Sequence, residues 1–537
     1  MFVCDENLNY KNKSEKHSKY LKFYEKKKKK YDEEKKKYEN MEEVEEFWAM
    51  GIENEMYLMC EKNEDINSEI LINNIKRERY SVDYFLNYRI DEYKNIVSNI
   101  QKINIPYYIS SYMFNNVDIY GEHRTLYVKG KKYNKLFSGM SIHEYLNYTS
   151  NNYKKLFEKN NVCFDGDTIE FITNNFYKIT LPEMLEELNS IKYKYLLEIN
   201  KYISNKFIFS NYGKYMKFPE HNYGIVKYMT NLNNISICNS GTYHINITLP
   251  SRLSLNKMKI ENFEEFKEKH KNAIKYIQWV EPLIIALYGT PDILSCFTDN
   301  NSCNGSLRLM MSRYIGLGTY DTDKMYIGKK LNDYEYENEN EKEHYFNKLH
   351  NSSSLYIPPK KIGYDVNFNK FKNHGIELRF LDYFPESYLE DVINFILLVC
   401  QHSIYNPEIT KPQSSKLWNE LALLCIKNGS NTEISNDIYQ CLLRIFKIEK
   451  TEKTLSENAD CCFFSCFTKE VKEKESNKEQ EKNHIVINVI TEISEYLFEK
   501  YKNDESIIKK MSPNIKRIVW VDYNSIMREK FKKEICV

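Results

Sequence analysis

Five short segments carry residue types that handle metals, phosphates or protons. The first is Gly51-Ile52-Glu53-Asn54-Glu55-Met56-Tyr57-Leu58. Alternate side chains of a strand share a face, so Glu53 and Glu55 would project together. Two carboxylates that close repel unless a positive charge lies between them. A hard cation such as magnesium provides it, using oxygen ligands. A solvent-facing acidic strand is the competing reading. Tyr243-His244-Ile245-Asn246-Ile247-Thr248-Leu249-Pro250 alternates strictly. His244, Asn246 and Thr248 fall on one face, and Ile245, Ile247 and Leu249 on the other. The His offers a metal a nitrogen and the Asn offers a substrate a hydrogen bond, although an edge strand with a wet face has the same pattern.

Gly375-Ile376-Glu377-Leu378-Arg379-Phe380-Leu381-Asp382 puts Glu377 and Arg379 on one strand face. That pairs a carboxylate for a metal with a guanidinium for a phosphate, or makes an intrastrand ion pair. Gly305 to Gly316 carries Arg308 and Arg313 in an apolar stretch. Guanidinium groups there need anions. Polyphosphate and carboxylate both match the planar fork, and so do structural salt bridges. Asp165-Gly166-Asp167-Thr168-Ile169-Glu170-Phe171-Ile172-Thr173 reads as turn residues ahead of a β-prone run bearing Glu170. Gly121-Glu122-His123-Arg124-Thr125 has similar character. Taken singly, both read as ordinary hairpins.

The elements that must hold these residues are legible from periodicity. Residues 50–60, 242–249 and 375–382 read as strands. Leu181-Pro182-Glu183 opens a helix with Pro in its first turn, and Met184, Leu185, Leu188, Ile191, Tyr195 and Leu196 recur at helical spacing. Phe263–Tyr288 reads as a long helix stopped by Gly289-Thr290-Pro291, and Ser387–Ser403 as a helix with a buried face. Further helices are expected to about residue 448. Four strands with a polar, metal-compatible face and an apolar one describe a sheet packed on helices, its other face an open, anion-handling cleft. The absence of a strict βαβ rhythm argues for α+β. No GxGxxG opens a helix and no GxxxxGK[ST] occurs, so any nucleotide must be held another way.

The chain divides into a charged helical or disordered arm at 1–46 and a catalytic domain at 47–449 with a low-complexity insertion at 331–349. A linker at 450–483 and a C-terminal helical element at 484–537 follow. Lys and Arg total 77 against 76 Asp and Glu, which gives no general electrostatic reason to bind nucleic acid or an acidic membrane. The 13 cysteines form no framework, and Cys461, Cys462 and Cys466 lack the partners of a structural zinc site. With no secretory signal and no apolar run near membrane length, the expectation is a reducing, cytoplasmic setting with no membrane partner.

In chain order, GIENEMYL, DGDTIEFIT, HINITLP, the long helix ending in LYGTPD, GSLRLMMSRYIGLGTYDT and IELRFLDYFP resemble the glutamine synthetase / glutamate–cysteine ligase superfamily of carboxylate–amine ligases. They look closest to its glutamate–cysteine ligase-like and small amidoligase branches. The resemblance spans about residues 48–405. It implies an α+β fold whose mainly antiparallel sheet curves into an open funnel, with helices on its outer face. It also implies Glu53, Glu55, Glu170, His244 and Glu377 as metal ligands, with Asp165 as a helper. Arg379 would contact phosphate, Arg308 and Arg313 would lie near phosphate or the substrate carboxylate, and Asn246 and Thr248 would line the nucleotide site. The cofactors so implied are ATP and Mg2+, with Mn2+ as a substitute. Many family members carry a second His where this chain has Asn246.

The implied activity is amide formation through an acyl phosphate, from small-molecule or peptide carboxylates and amines, in a monomer or a homo-oligomer. Three rivals share the acidic cleft. A guanidino kinase would stop at a phosphorylated nitrogen. An inactive relative would keep the fold as a scaffold. A metal-dependent hydrolase would cleave amides without ATP.

Overall fold

The computed structural model describes residues 47–60, 98, 103–120, 139–174, 180–203, 215–229, 235–236, 241–254, 259–260, 262–293, 304–311, 375–410, 412, 415–448 and 484–534. The arm at 1–46, the Gly121–Thr125 stretch, the insertion at 331–349, the linker at 450–483 and Cys461, Cys462 and Cys466 lie outside the described residues. The fold is mixed α+β.

Its strands are β1 (Phe47–Met56), β2 (Leu58–Cys60), β3 (Tyr107–Ile109), β4 (Val162–Asp165), β5 (Thr168–Ile172), β6 (Met216–Lys217), β7 (Val226–Tyr228), β8 (Ile235–Ser236), β9 (Thr242–Ser251), β10 (Leu253–Ser254), β11 (Lys259–Ile260), β12 (Ile376–Asp382), β13 (Glu433–Ile434) and β14 (His484–Ile485). One five-stranded sheet has the order β12-β9-β1-β5-β4, antiparallel throughout. The other has the order β6-β2-β3-β7-β8, in which β3–β7 is the parallel pair. β10–β11 and β13–β14 are short antiparallel pairs.

The strand expected over 50–60 is two strands in two sheets, parted at Tyr57. The ring of Tyr57 packs edge-on against Tyr108 and Tyr228, at centroid distances of 5.8 and 6.1 Å. Those contacts draw the chain out of the first sheet and into the second. The β4–β5 hairpin turns through Gly166, whose φ of 59° is in the left-handed region that glycine reaches without strain.

The helices that position the first sheet are α1 (Leu181–Ile203), α2 (Phe263–Tyr288), α3 (Leu307–Met311), α4 (Leu389–Tyr405), α5 (Lys416–Asn428), α6 (Val486–Tyr501) and α7 (Tyr523–Glu534). α1 begins at a capping box: the Glu183 carboxylate accepts from the Thr180 N–H at 2.7 Å, and the Thr180 hydroxyl accepts from the Glu183 N–H at 3.5 Å. α2 contains Pro282, which has no N–H to offer the carbonyl one turn back. That carbonyl, of Gln278, accepts instead from Trp418 Nε1 at 2.6 Å, so α5 satisfies the break in α2.

α2 packs on β9 and β12, and α1 on β1 and β5. Their apolar faces meet Ile52, Ile245, Ile247 and Leu378, all fully buried. α2 is also pinned by His270, whose Nδ1 faces the Phe266 carbonyl at 2.7 Å and whose Nε2 accepts from the Leu249 N–H at 3.0 Å. Gly375 makes this corner possible. A Cβ there would collide with His270 Nε2 and lie 2.6 Å from the Ile247 carbonyl oxygen.

The C-terminal helical element is part of the same body. α6 packs on α2 and α4, and α7 on α2. Asn524 of α7 donates to the carbonyls of Gly289 (2.9 Å) and Asn304 (2.7 Å) and accepts from the Ser430 N–H (3.3 Å). The described cysteines are all unbridged. Among the described residues no helix is long and apolar enough to cross a membrane.

Candidate metal centre

The two-residue period of β1 places Glu53 and Glu55 on the face away from α1 and α2, with Ile52 and Asn54 on the helix side. Antiparallel register then decides what stands beside them. Glu53 is paired with His244 on β9, and Glu55 with Glu170 on β5. Glu377 on β12 is paired with Asn246, the next residue along the same face of β9. Four adjacent strands thus deliver four carboxylates and one imidazole to one patch.

His244 Nδ1 lies 3.5 Å from Glu53 Oε2, 3.7 Å from Glu55 Oε1 and 3.7 Å from Glu377 Oε1. That nitrogen is buried and has no hydrogen-bond partner. A hydrogen-bonded imidazole would approach one carboxylate to about 2.9 Å. Three oxygens at nearly equal, longer distances match the spacing that ligands of an ion would have, since bonds of about 2.0–2.2 Å at open angles separate donors by roughly 3.5 Å. Ligand atoms of Glu53, His244 and Glu377 lie within 4.8 Å of one another, as do those of Glu55, Glu170 and His244. The donor set of carboxylates plus one nitrogen fits Mg2+ or Mn2+, with the nitrogen leaning toward the transition metal.

Electrostatics point the same way. The residues themselves are buried: Glu53 is 2% exposed, His244 3% and Glu377 3%. Burial, then the charge of Glu53 and to a smaller degree Glu55, push Glu170 up to about 8, while a hydrogen bond from the Cys163 thiol works against them. Carboxylates packed out of water need a countercharge, and a divalent cation supplies two. Arg379 supplies one more, its Nη1 donating to Glu377 Oε1 at 2.7 Å.

The remaining expected residues divide clearly. Asn246 belongs to the patch, with Nδ2 3.5 Å from Glu53 Oε1. Thr248 shares the face but stands four residues beyond His244, about 13 Å along the strand. Asp165 is exposed at the hairpin and belongs to neither ligand group. Arg313 lies outside the described residues. Arg308, expected near phosphate or the substrate carboxylate, pairs with Asp382 and with the backbone of β12. Its Nε donates to Asp382 Oδ1 at 2.6 Å, and its Nη2 to the carbonyls of Arg379 (3.1 Å) and Leu381 (3.0 Å). Those carbonyls flank the point where β12 gains a residue against β9, between Leu378 and Leu381. Arg308 therefore fastens a β-bulge next to Arg379. Asp382 also accepts from the Thr290 N–H (3.0 Å) and the Ser306 hydroxyl (2.7 Å), tying that bulge to the end of α2 and the start of α3.

No family model matches the chain. A protein of Acanthamoeba polyphaga mimivirus, named "Uncharacterized protein R704", is 40% identical over 403 residues, covering 73% of this chain and 69% of that one. The chain belongs to the family of R704. The match to R704 is longer than the stretch from 48 to 405, so the shared family takes in sequence beyond the motif-bearing part.

Two contributors to the site escaped the sequence reading. Cys163 donates its thiol to Glu170 Oε2 at 2.7 Å from the neighbouring strand. The Asp165–Thr168 turn fixes that pairing, and counting back two residues from Asp165 would have found it. Asn54 carries no local signal beside the acidic residues that flank it. It is fully buried on the helix side, and Lys192 bonds to it there.

Proposed function

We propose that the chain is an ATP- and Mg2+-dependent carboxylate–amine ligase that forms an amide through an acyl phosphate. In this reading the sheet β12-β9-β1-β5-β4 is the wall of an open, curved funnel with α1 and α2 on its outer face. The observation that carries it is the convergence of Glu53, Glu55 and Glu377 on the unpartnered Nδ1 of His244, with Glu170 grouped beside Glu55 and His244. Those are the residues on which the superfamily resemblance would place its metal ligands.

Bringing a polyphosphate to a carboxylate is repulsive, and the chain's residues answer that repulsion. Glu53, Glu377 and His244 would hold one cation, and Glu55 and Glu170 a second. A single ring nitrogen ligates one ion, so the second position is all oxygen. Bound Mg2+ supplies charge neutralisation and Lewis acidity to phosphate oxygens. Arg379 is 21% exposed at its side chain, whereas its partner Glu377 is 3%. Its guanidinium can therefore face a ligand while still anchored to the site. Arg308 contributes at one remove, by holding the backbone of Arg379.

The test is release of inorganic phosphate from ATP by the full-length protein, screened over pairs of amino acids, peptides and amines, with mass spectrometry of the product. An amide formed in step with phosphate supports the reading. A stable phosphorylated amine with no free phosphate would move the protein to guanidino-kinase chemistry. Amide cleavage without ATP would make it a hydrolase.

A further inference from the structure

A polar link lies on the helix side of β1. Lys192, on α1, is 6% exposed. Its Nζ donates to Asn54 Oδ1 at 3.1 Å and to the Glu386 carboxylate, and sits 4.7 Å from the centroid of the Phe218 ring. Asn54 uses its other end as well, Nδ2 donating to the Thr242 carbonyl at 3.1 Å. The amide of Asn54 is thereby held between α1 and β9.

Position matters here. Asn54 lies between Glu53 and Glu55, and Thr242 lies two residues before His244 on the same face of β9. Fixing one side chain on the helix side therefore fixes the backbone from which three of the expected ligands project on the other side. Burying a lysine is costly: desolvation pulls its pKa down to about 7. A pair of apolar residues would fill the same layer without that cost. Ligand constellations need placement within about 0.5 Å, which residues behind the ligands commonly enforce.

We propose that Lys192 is a positioning residue for the cation site, acting from behind the sheet through Asn54 to hold Glu53, Glu55 and His244 in ligand geometry. This inference rests on the cation reading of the site. It assigns Lys192 no contact with substrate or metal.

The test is titration of the full-length protein with Mn2+ alone, followed by electron paramagnetic resonance of the free ion, with thermal melts on the same samples. Lys192→Met removes the ammonium at similar volume. Asn54→Ser breaks the same link and leaves the Lys192–Glu386 pair in place. Both variants are expected to weaken Mn2+ binding about tenfold or more while melting cooperatively. Lys192→Arg, which keeps a donor, should return affinity to within about threefold of wild type, and Glu386→Gln, which keeps the Asn54 bond, should stay within the same range. Wild-type affinity in a folded Lys192→Met would overturn this inference and leave the cation reading standing. If Lys192→Met does not fold, Asn54→Ser decides in the same way. A wild-type protein that binds no Mn2+ overturns both. A purely structural role would lower the melting temperature and leave the affinity unmoved, which also overturns it.

Discussion

His244 faces Glu53 directly across the β1–β9 ladder, with its Nδ1 3.5 Å from the Glu53 carboxylate and no hydrogen bond between them. Each residue is almost fully removed from water. An imidazole nitrogen and a carboxylate oxygen held so close yet unbonded are placed as two ligands of the proposed cation would be.

Removing one ligand should therefore damage function more than fold. Glu53→Ala, Glu55→Ala and Glu377→Ala are each expected to lower turnover at least about a hundredfold, comparable to losing one transition-state electrostatic contact worth about 2.7–4 kcal/mol. Steady-state phosphate release and a thermal melt check this together. Normal activity in a folded variant takes that residue out of the site.

Cation binding should depend on pH through Glu170. Its carboxyl is pushed up to about 8 in the folded protein, against an ordinary value of 4.5. The cation-free fold thus carries a stabilising proton at low pH that it loses as pH rises through about 8. A cation must displace that proton, so affinity should rise from pH 6 to 8 with proton release measurable by calorimetry in two buffers. Glu170→Gln should flatten that pH dependence. It should also raise the melting temperature in a chelator above pH 8, where ionised Glu170 is the burden.

Cys163 should alkylate slowly. Burial and the Glu170 carboxylate push its thiol well above the usual range, so little thiolate is present at neutral pH. Peptide mapping after iodoacetamide above pH 8, where Glu170 is ionised, should show faster labelling of Cys163 in Glu170→Gln. Divalent cation added to the wild type should have a similar effect by drawing charge away from Glu170. Equal rates in all three samples would dissociate the thiol from the site.

Breaking the Arg308–Asp382 pair should cost stability. Both side chains are buried, and removing one partner strands the other charge, a loss of about 3–5 kcal/mol. Arg308→Met should therefore shift the urea midpoint strongly. Full stability with lost phosphate release would instead make Arg308 a phosphate contact, as its segment first suggests.

Mild acid should loosen the packing of α2 and α4. Burial holds His270 and His402 at about 3, against an ordinary 6.5. Their neutral forms stabilise the fold fully above about 6.5, and that stability drains away as pH falls toward 3, because the unfolded chain takes up protons the fold refuses. At pH 5 the loss is roughly 2 kcal/mol for each histidine. His270 has a geometric reason as well. Its Nε2 accepts from the Leu249 N–H, and a proton there would set donor against donor. Denaturant midpoints at pH 7 and 5 should differ accordingly, and less so in His402→Gln.

By itself the sequence determined which residues share a strand face, because side-chain direction alternates with a fixed period whatever the strand's neighbours. That is why Glu53 with Glu55, His244 with Asn246, and Glu377 with Arg379 were legible as pairs, and why Phe263–Tyr288 was legible as a helix from its spacing alone. Which pairs meet was decided only by tertiary structure. The order β12-β9-β1-β5-β4 and its register join residues more than a hundred positions apart, and nothing local encodes that alignment. The partners of Arg308 and Lys192 belong to the same class. A guanidinium or an ammonium in an apolar segment announces that it needs an anion or an acceptor, but Asp382 and Asn54 answer that need only once the sheet and its helices have packed.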